Sequence, residues 1–192
     1  MPTTQHQVVF IGDSIFEYWE KEDPEFFSAN NYICKGIRGQ TTEQILSRFE
    51  QDVIELKPAV VVIQGGINDI SEYGSGPYDE ASTLRNIIDM AETADFNGIK
   101  VLLLSVPYTS SFGWDVHVEN PQERTLSLNK RIRAFAQQEQ FRYVDCFAPM
   151  LTEKGVMARK YIPDDIHPNK KGYTLMQPLI QEAIAEILKT CM

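Results

Sequence analysis

Residues 7–19 read Gln-Val-Val-Phe-Ile-Gly-Asp-Ser-Ile-Phe-Glu-Tyr-Trp, and this stretch decides the fold. It starts as an apolar run of strand formers, breaks at Gly12-Asp13 and resumes with helical spacing from Ile15. A buried strand that enters a helix through a tight turn presents the turn residue at the carboxyl edge of a parallel sheet. That residue is Ser14, at a helix start where free N–H groups and the helix dipole favour negative charge. From this stretch alone, Ser14 is either a nucleophile or a helix cap.

The same pattern recurs along the chain, where strand-like apolar runs alternate with helix-like stretches. Such alternation predicts an α/β protein whose parallel sheet is covered by helices on both faces. The first, third and fourth runs are almost wholly apolar, as expected of strands buried on both sides. The predicted strands cover residues 8–11, 32–34, 60–63, 101–104 and 141–144, and the predicted helices cover residues 15–22, 42–56, 78–97, 122–140 and 170–189.

Length and composition limit the classes of function. With 192 residues, 43% of them hydrophobic, the chain is expected to form one domain over residues 1–192. The net charge of -9 argues against nucleic acid or an anionic membrane as a partner, because both require clustered Lys and Arg. Three scattered cysteines, Cys34, Cys146 and Cys191, predict neither a disulfide scaffold nor a zinc site. No signal sequence or membrane-length apolar run is visible, which predicts a cytoplasmic protein, or a secreted or periplasmic one if a signal was removed.

Glycine-rich turns follow each of the first three predicted strands. The second turn offers the backbone N–H of Gly39 near a helix start, and the third offers the side-chain amide of Asn68. Because the carboxyl ends of parallel strands meet at one edge of a sheet, these donors are expected to surround Ser14 together with its own N–H. Preorganised donors of this kind stabilise the oxyanion of acyl transfer. The neighbouring Asp69 is expected to be a structural partner of nearby N–H groups.

A nucleophilic serine needs a base, and the chain contains three histidines. His6 lies in the N-terminal tail and His117 in a long polar loop, whereas His167 directly precedes the last predicted helix. Asp164 can fold back onto the His167 ring and set its tautomer, which leaves the other ring nitrogen to take the serine proton. Asp165 is a competing carboxylate that the spacing does not exclude.

Each motif alone is also typical of a cap, a simple turn, a structural loop or a partial metal site, but their joint order is much more specific. The blocks Gly-Asp-Ser-Ile, Gly-Ile-Arg-Gly-Gln-Thr-Thr, Gly-Ile-Asn-Asp and Asp-Asp-Ile-His-Pro resemble, in that order, those of the SGNH hydrolases, also called the GDSL esterase/lipase family. The resemblance implies a triad of Ser14, Asp164 and His167, and an oxyanion hole formed by Ser14, Gly39 and Asn68.

The resemblance also has consequences for the fold and for the competing carboxylate. It implies a flavodoxin-like, three-layer α/β/α sandwich with a five-stranded parallel sheet of order 2-1-3-4-5, and no metal or cofactor. It favours Asp164 over Asp165 as the triad carboxylate. Asp165 stands where the family often has glycine, and its negative charge is expected to favour the protonated form of His167.

The predicted activity is a serine esterase that acts on small-molecule carboxylic esters. Short acyl groups are favoured, as in acetyl or aryl esters and acetylated carbohydrates, because no long insertion forms a lid. The alternatives are a lysophospholipase, a thioesterase or an acyltransferase with the same site and, outside enzymes, a flavodoxin-like module that binds an anion or a flavin. Candidate substrate-binding residues are Ile15, Arg38, Ile67, Tyr73, Tyr108, Phe112, Trp114 and Ile166.

Overall fold

The computed structural model describes residues 7–72, 76–113 and 118–189. The strands of this part of the chain are β1 (Val8–Gly12), β2 (Tyr32–Gly36), β3 (Val60–Ile63), β4 (Lys100–Leu104) and β5 (Arg142–Val144). They form one parallel sheet of order β2-β1-β3-β4-β5, which confirms the order that the family resemblance implied. The last residue of β1, Gly12, lies opposite the last residue of β2, Gly36. The turns that follow these strands therefore meet at one edge of the sheet.

Helices cover both faces of the sheet. Their bounds are α1 (Ser14–Glu22), α2 (Pro24–Ala29), α3 (Thr42–Ser47), α4 (Ile67–Ile70), α5 (Glu80–Phe96), α6 (Pro121–Gln138) and α7 (Lys170–Lys189). Helices α1 and α7 pack together on one face, and α3, α5 and α6 lie on the other, which gives the expected three layers. Within the described residues, no helix is both long and apolar enough to cross a bilayer.

The helices differ from the sequence prediction in three places. The helix predicted over residues 42–56 divides into α3 and a π-helical segment, Glu50–Ile54, because Arg48 leaves the helical conformation with φ −108° and ψ 4°. Helix α2 was not predicted, although Pro24 at its first position is a common helix start. Helix α4 was predicted as part of a turn, because four residues are too few to show a helical period.

An aromatic cluster fastens α1 and α7 to the sheet. The buried Trp19 of α1 stacks against Phe26, with ring centroids 4.5 Å apart, and against Tyr173 of α7 at 5.2 Å. Phe10 of β1 meets Trp19 edge-on at 6.1 Å. Full burial of one large apolar side chain stabilises a fold by roughly 1.5–3 kcal/mol. The Tyr173 hydroxyl also donates to the Ile15 carbonyl at 2.8 Å, so the start of α7 is fixed beside the start of α1.

Candidate active site

The turn between β1 and α1 places Ser14 at the first position of a helix. Asp13 is the N-cap of α1, because its Oδ1 accepts from the Ile15 N–H at 3.0 Å. Gly12 leaves room for this turn, since a Cβ there would lie 2.5 Å from the Gln64 carbonyl oxygen. The capping role thus falls to Asp13, and the Ser14 hydroxyl is left for another partner.

That partner is His167, which follows Ser14 by 153 residues in the chain. The Ser14 Oγ lies 2.8 Å from His167 Nε2, and His167 Nδ1 lies 2.7 Å from Asp164 Oδ2. Asp164 Oδ1 accepts from the backbone N–H groups of His167 at 2.7 Å and Ile166 at 3.0 Å. Partial burial alone would raise the pKa of Asp164, but these hydrogen bonds lower it to about 2. An ionised Asp164 keeps the proton on His167 Nδ1, so that Nε2 accepts from Ser14.

The loop that carries His167 is held at the start of α7. Asn169 Oδ1 accepts from the Gly172 N–H at 3.1 Å, so Asn169 caps the start of this helix. Tyr18, one helical turn after Ser14 in α1, packs on His167 with ring centroids 4.9 Å apart. The imidazole is therefore oriented by contacts from α1 as well as by its own loop.

The competing carboxylate, Asp165, is engaged elsewhere. Its Oδ2 accepts from the Ser111 hydroxyl at 2.9 Å and lies 3.5 Å from Arg159 Nη2. Its φ of 68° lies in the left-handed region, which Asp adopts more readily than most residues. This conformation gives a physical reason for the frequent glycine that the family resemblance implies at this position. Of the two adjacent carboxylates, Asp164 is the one that contacts His167.

The Gly39 N–H lies in the loop between β2 and α3. Gly39 has a φ of 76°, a conformation that favours glycine. The loop is held on both sides, because the Arg38 N–H donates to the Glu17 carboxylate, while Thr41 and Gln44 form a capping box at the start of α3. Within the described residues, nothing accepts a hydrogen bond from the Gly39 N–H. This donor remains available to a ligand.

Asn68 lies in α4, just beyond the end of β3. Its Nδ2 donates one hydrogen to the Gln40 carbonyl at 2.9 Å, which leaves the second hydrogen for the cleft that Asn68 lines. The neighbouring Asp69 binds Thr42 instead, accepting from its N–H at 3.0 Å and from its hydroxyl at 2.6 Å. These bonds fit the structural role expected of Asp69.

Ser14, Gly39, Asn68, Asp164 and His167 all open onto one cleft of about 740 Å³. The structure thus brings together all five residues that the sequence motifs singled out. The residues that line this cleft are Ser14, Tyr18, Ile37, Arg38, Gly39, Gln40, Gln44, Asn68, Asp164, Ile166 and His167.

Only some of the residues expected to bind substrate line the cleft. Arg38 and Ile166 line the cleft. Ile15 and Ile67, by contrast, are buried in the core and lie outside the described lining of the cleft. Tyr108 lines a neighbouring cavity of about 440 Å³ and donates its hydroxyl to Asp145.

Of the remaining expected residues, only Phe112 is described, and it is not among the residues that line the cleft. Phe112 belongs to the buried core, and Tyr73 and Trp114 lie outside the described residues, as do His6 and His117. Sequence reasoning missed Tyr18, although its spacing of four residues from Ser14 puts both side chains on one face of a helix.

Asp13 is fully buried beneath the turn between β1 and α1, and its carboxylate is only partly hydrogen-bonded within the described residues. Within the described residues, Asp13 Oδ2 has no hydrogen-bond partner. Burial raises the pKa of Asp13 to about 7, although the Ile15 N–H and the charge of protonated His167 oppose the rise. The negative charge of nearby Asp69 also raises the pKa of Asp13. Asp13 therefore changes its charge near neutral pH.

We expect the Asp13→Asn variant to lose a pH dependence of stability that the wild type shows. An aspartate in the unfolded chain titrates near about 3.9, whereas Asp13 in the folded chain titrates at about 7. The folded protein binds more protons between these values, so the stability contributed by Asp13 is fully present below about pH 4 and is lost as the pH rises through about 7. Asparagine keeps an acceptor for the Ile15 N–H and carries no charge.

Thermal unfolding at about pH 5 and about pH 8.5 measures this effect. The Tm of Asp13→Asn relative to wild type should be higher at the alkaline pH than at the acidic pH. Asp95→Asn, on the exposed side of α5, is the matched control and should show no such trend. A Tm difference for Asp13→Asn that is the same at both pH values would contradict the prediction.

Comparison with known proteins assigns this chain to a family. Residues 10–175 match the sequence model of the GDSL-like Lipase/Acylhydrolase family. The chain belongs to this family. A GDSL-like lipase from Bacteroides thetaiotaomicron VPI-5482 superposes on it with a TM-score of 0.91 at 42% sequence identity, over 95% of this chain and 89% of the other.

Two further relatives support the same family assignment. A candidate acylhydrolase from Bacteroides fragilis NCTC 9343 superposes with a TM-score of 0.92 at 40% identity, over 99% of this chain and 90% of the other. An acetylxylan esterase from Geobacillus stearothermophilus is 28% identical over 157 residues, which cover 75% of this chain and 67% of the relative. The GDSL-family protein described here is a carboxylic ester hydrolase.

Proposed function

We propose that this GDSL-family protein hydrolyses small carboxylic esters with short acyl groups through an acyl-enzyme on Ser14. The observation that carries the proposal is the hydrogen-bonded series Ser14–His167–Asp164 at the edge of a cleft. A serine whose proton can pass to an oriented imidazole is an activated nucleophile. The unoccupied donors of Gly39 and Asn68 on the same cleft supply the second requirement of acyl transfer.

In the acylation step, Ser14 Oγ attacks the ester carbonyl carbon and its proton moves to His167 Nε2. The carbonyl oxygen becomes an oxyanion, which accepts hydrogen bonds from the N–H groups of Ser14 and Gly39 and from the Asn68 amide. The bond from the carbonyl carbon to the alcohol oxygen then breaks. The alcohol leaves with the proton held by His167, and the acyl group remains on Ser14.

Deacylation repeats these steps with water as the nucleophile. His167 takes one proton from water as the water oxygen bonds to the acyl carbon, and the oxyanion forms again among the same donors. When the bond to Ser14 Oγ breaks, the serine recovers the proton from His167 and the carboxylic acid is released. Ionised Asp164 stabilises the imidazolium that exists between the two proton transfers.

Replacing Asn68 by alanine is expected to lower kcat by about a hundredfold or more, with a smaller effect on KM. The reason is that the free amide hydrogen of Asn68 serves the oxyanion, which exists in the transition state and not in the bound ester. Steady-state kinetics on p-nitrophenyl acetate measure the effect. Asn97→Ala, at the exposed end of α5, is the control, because it removes an asparagine side chain outside the cleft. Unchanged kcat in a folded Asn68→Ala variant would remove Asn68 from the oxyanion hole.

The preference for short acyl groups rests on the walls of the cleft. Apolar contacts come from Tyr18, Ile37 and Ile166, and the other lining side chains of the described residues are polar or charged. A long acyl chain needs a continuous apolar channel to leave water, whereas an acetyl group needs only a few methylene-sized contacts. The acetylxylan esterase among the relatives supports acetylated carbohydrates as one substrate class.

The experiment that tests the substrate class is a series of p-nitrophenyl esters from acetyl to palmitoyl, with acetylated xylo-oligosaccharides assayed alongside. We expect kcat/KM to be highest for the acetyl ester and to fall as the chain lengthens. A maximum at long acyl chains would favour a lysophospholipase, and a preference for acyl thioesters would favour a thioesterase. Ester formation with an added alcohol or sugar, in place of release of free acid, would favour an acyltransferase.

A further inference from the structure

Arg48 is a largely buried cation that the ester hydrolysis mechanism does not use directly. It follows α3 and ends that helix, and its side chain is only 13% exposed. A buried guanidinium is costly unless its N–H groups are paired. Four hydrogen bonds to four different residues pair four of its five N–H groups, and three of the four acceptors lie in β1, in β2 and in the loop after β2.

The bonds connect separate parts of the chain. Arg48 Nη2 donates to the carbonyl oxygens of Gly12 at 2.9 Å and Lys35 at 2.8 Å, and its Nε donates to Gln40 Oε1 at 2.6 Å. Its Nη1 donates to Asp52 Oδ2 at 2.7 Å. Burial alone would raise the pKa of Asp52, but hydrogen bonds from Arg48 and Lys35 lower it, so the pair is charged at neutral pH.

Three of these acceptors, Gly12, Lys35 and Gln40, lie next to donors of the proposed oxyanion hole. Gly12 ends β1 two residues before Ser14, whose N–H is one donor. Lys35 lies in β2, just before the loop that presents the Gly39 N–H, and Gln40 follows Gly39 within that loop. The Gln40 carbonyl, in turn, accepts from Asn68 Nδ2 at 2.9 Å. One guanidinium therefore connects directly the two backbone segments that carry the Ser14 and Gly39 donors, and it connects to Asn68 through Gln40.

We propose that Arg48 is a positioning residue that fixes the spacing of the Ser14, Gly39 and Asn68 donors for the transition state. The inference rests on the proposed function, because it assigns a task within that oxyanion hole. A displacement of about 1 Å in such a site can lower the rate by about a hundredfold. Only a planar guanidinium offers donors in several fixed directions, so lysine cannot replace the set of bonds.

The test is the Arg48→Lys variant, which keeps the charge and the pairing with Asp52 but cannot reach all the other acceptors. We expect kcat for p-nitrophenyl acetate to fall by about tenfold to a hundredfold, with KM changed by less than about threefold. A boronic acid that forms a tetrahedral adduct with Ser14 should lose affinity by a similar factor. A role in stability alone would lower Tm and leave kcat and boronate affinity unchanged.

Two further variants make the result specific. Arg85→Lys, in exposed ion pairs on α5, is the matched control and should change neither kcat nor boronate affinity. Gln40→Leu removes the acceptor of Arg48 Nε and tests the same connection if Arg48→Lys fails to fold. Its effect on kcat should be in the same direction, and the double variant should lose less than the product of the two single effects.

The outcomes separate this inference from the proposed function. Wild-type hydrolysis that depends on Ser14, together with full kcat and full boronate affinity in folded Arg48→Lys or Gln40→Leu, overturns the positioning role and leaves the esterase proposal standing. Hydrolysis that does not depend on Ser14 overturns both. A matched fall in kcat and boronate affinity, with KM preserved, supports the role of Arg48.

Discussion

Hydrolysis of p-nitrophenyl acetate by the Ser14→Ala variant is expected to fall by about 10,000-fold or more in kcat. The variant lacks the hydroxyl that is the hydrogen-bond partner of His167 Nε2 in the described part of the chain. Without Oγ no acyl-enzyme forms, and only the donors of the cleft remain to assist the attack of water. The substitution removes one hydroxyl from a helix whose cap is Asp13, so the fold should be unaffected.

Labelling by a fluorophosphonate probe provides a second readout of the same prediction. Wild type should be modified at Ser14 and lose activity in proportion, whereas Ser14→Ala should resist the probe. Ser127→Ala, an exposed serine of α6 that bonds Glu80, is the control and should behave as wild type in both assays. Retained esterase activity in Ser14→Ala, or failure of the probe to label Ser14, would sink the covalent mechanism and reopen the flavodoxin-like binding module.

Replacing Asp164 by asparagine is expected to lower kcat by about 1,000- to 10,000-fold. The backbone hydrogen bonds of the loop determine the orientation of the asparagine side-chain amide. Asp164 Oδ1 accepts from two backbone N–H groups, so the asparagine oxygen will take that position and its NH₂ group will face His167 Nδ1. The ring must then carry its proton on Nε2, where it cannot accept one from Ser14. Steady-state kinetics and a Tm measurement separate this loss from a loss of stability.

Asp165→Asn is the matched control for this variant. It removes the same charge one residue away, at a carboxylate that binds Ser111 and Arg159 and does not contact His167. We expect its kcat to stay within about threefold of wild type, as for a partly exposed charge outside the reacting groups. Equal losses in Asp164→Asn and Asp165→Asn would mean that the charge of the loop matters and the orientation of the ring does not.

The sheet was predictable from sequence because its strands carry strong local signals. Apolar runs such as Val60–Ile63 and the glycine breaks after them define parallel strands and their turns, and the family resemblance supplied the strand order. The residues that meet at the sheet edge followed from the rule that turns after parallel strands converge. Spacing could not choose between Asp164 and Asp165, since the choice depends on the backbone conformation of residue 165.

The parts that sequence reasoning missed depend on contacts between distant residues. The break after α3 lies at Arg48, whose side chain reaches carbonyls of β1 and β2, and no local pattern encodes that reach. Ile15 was expected in the substrate site, yet the residue that follows Ser14 on a helix points about 100° away from it and enters the core. Tyr18, one turn further, is the residue that reaches the cleft.

The hydrogen bond between Ser14 and His167 joins residues that the ribosome adds at widely separated times during translation. The turn at Ser14, the Gly39 loop and Asn68 are all synthesised long before the loop at the start of α7. Because a domain generally folds as a unit, a ribosome-bound chain that ends before His167 lacks the residue that the proposed mechanism uses as its base, although it already contains Ser14 and the proposed oxyanion donors. If Ser14 and His167 act as proposed, esterase activity requires the segment that carries His167 to have docked beside α1.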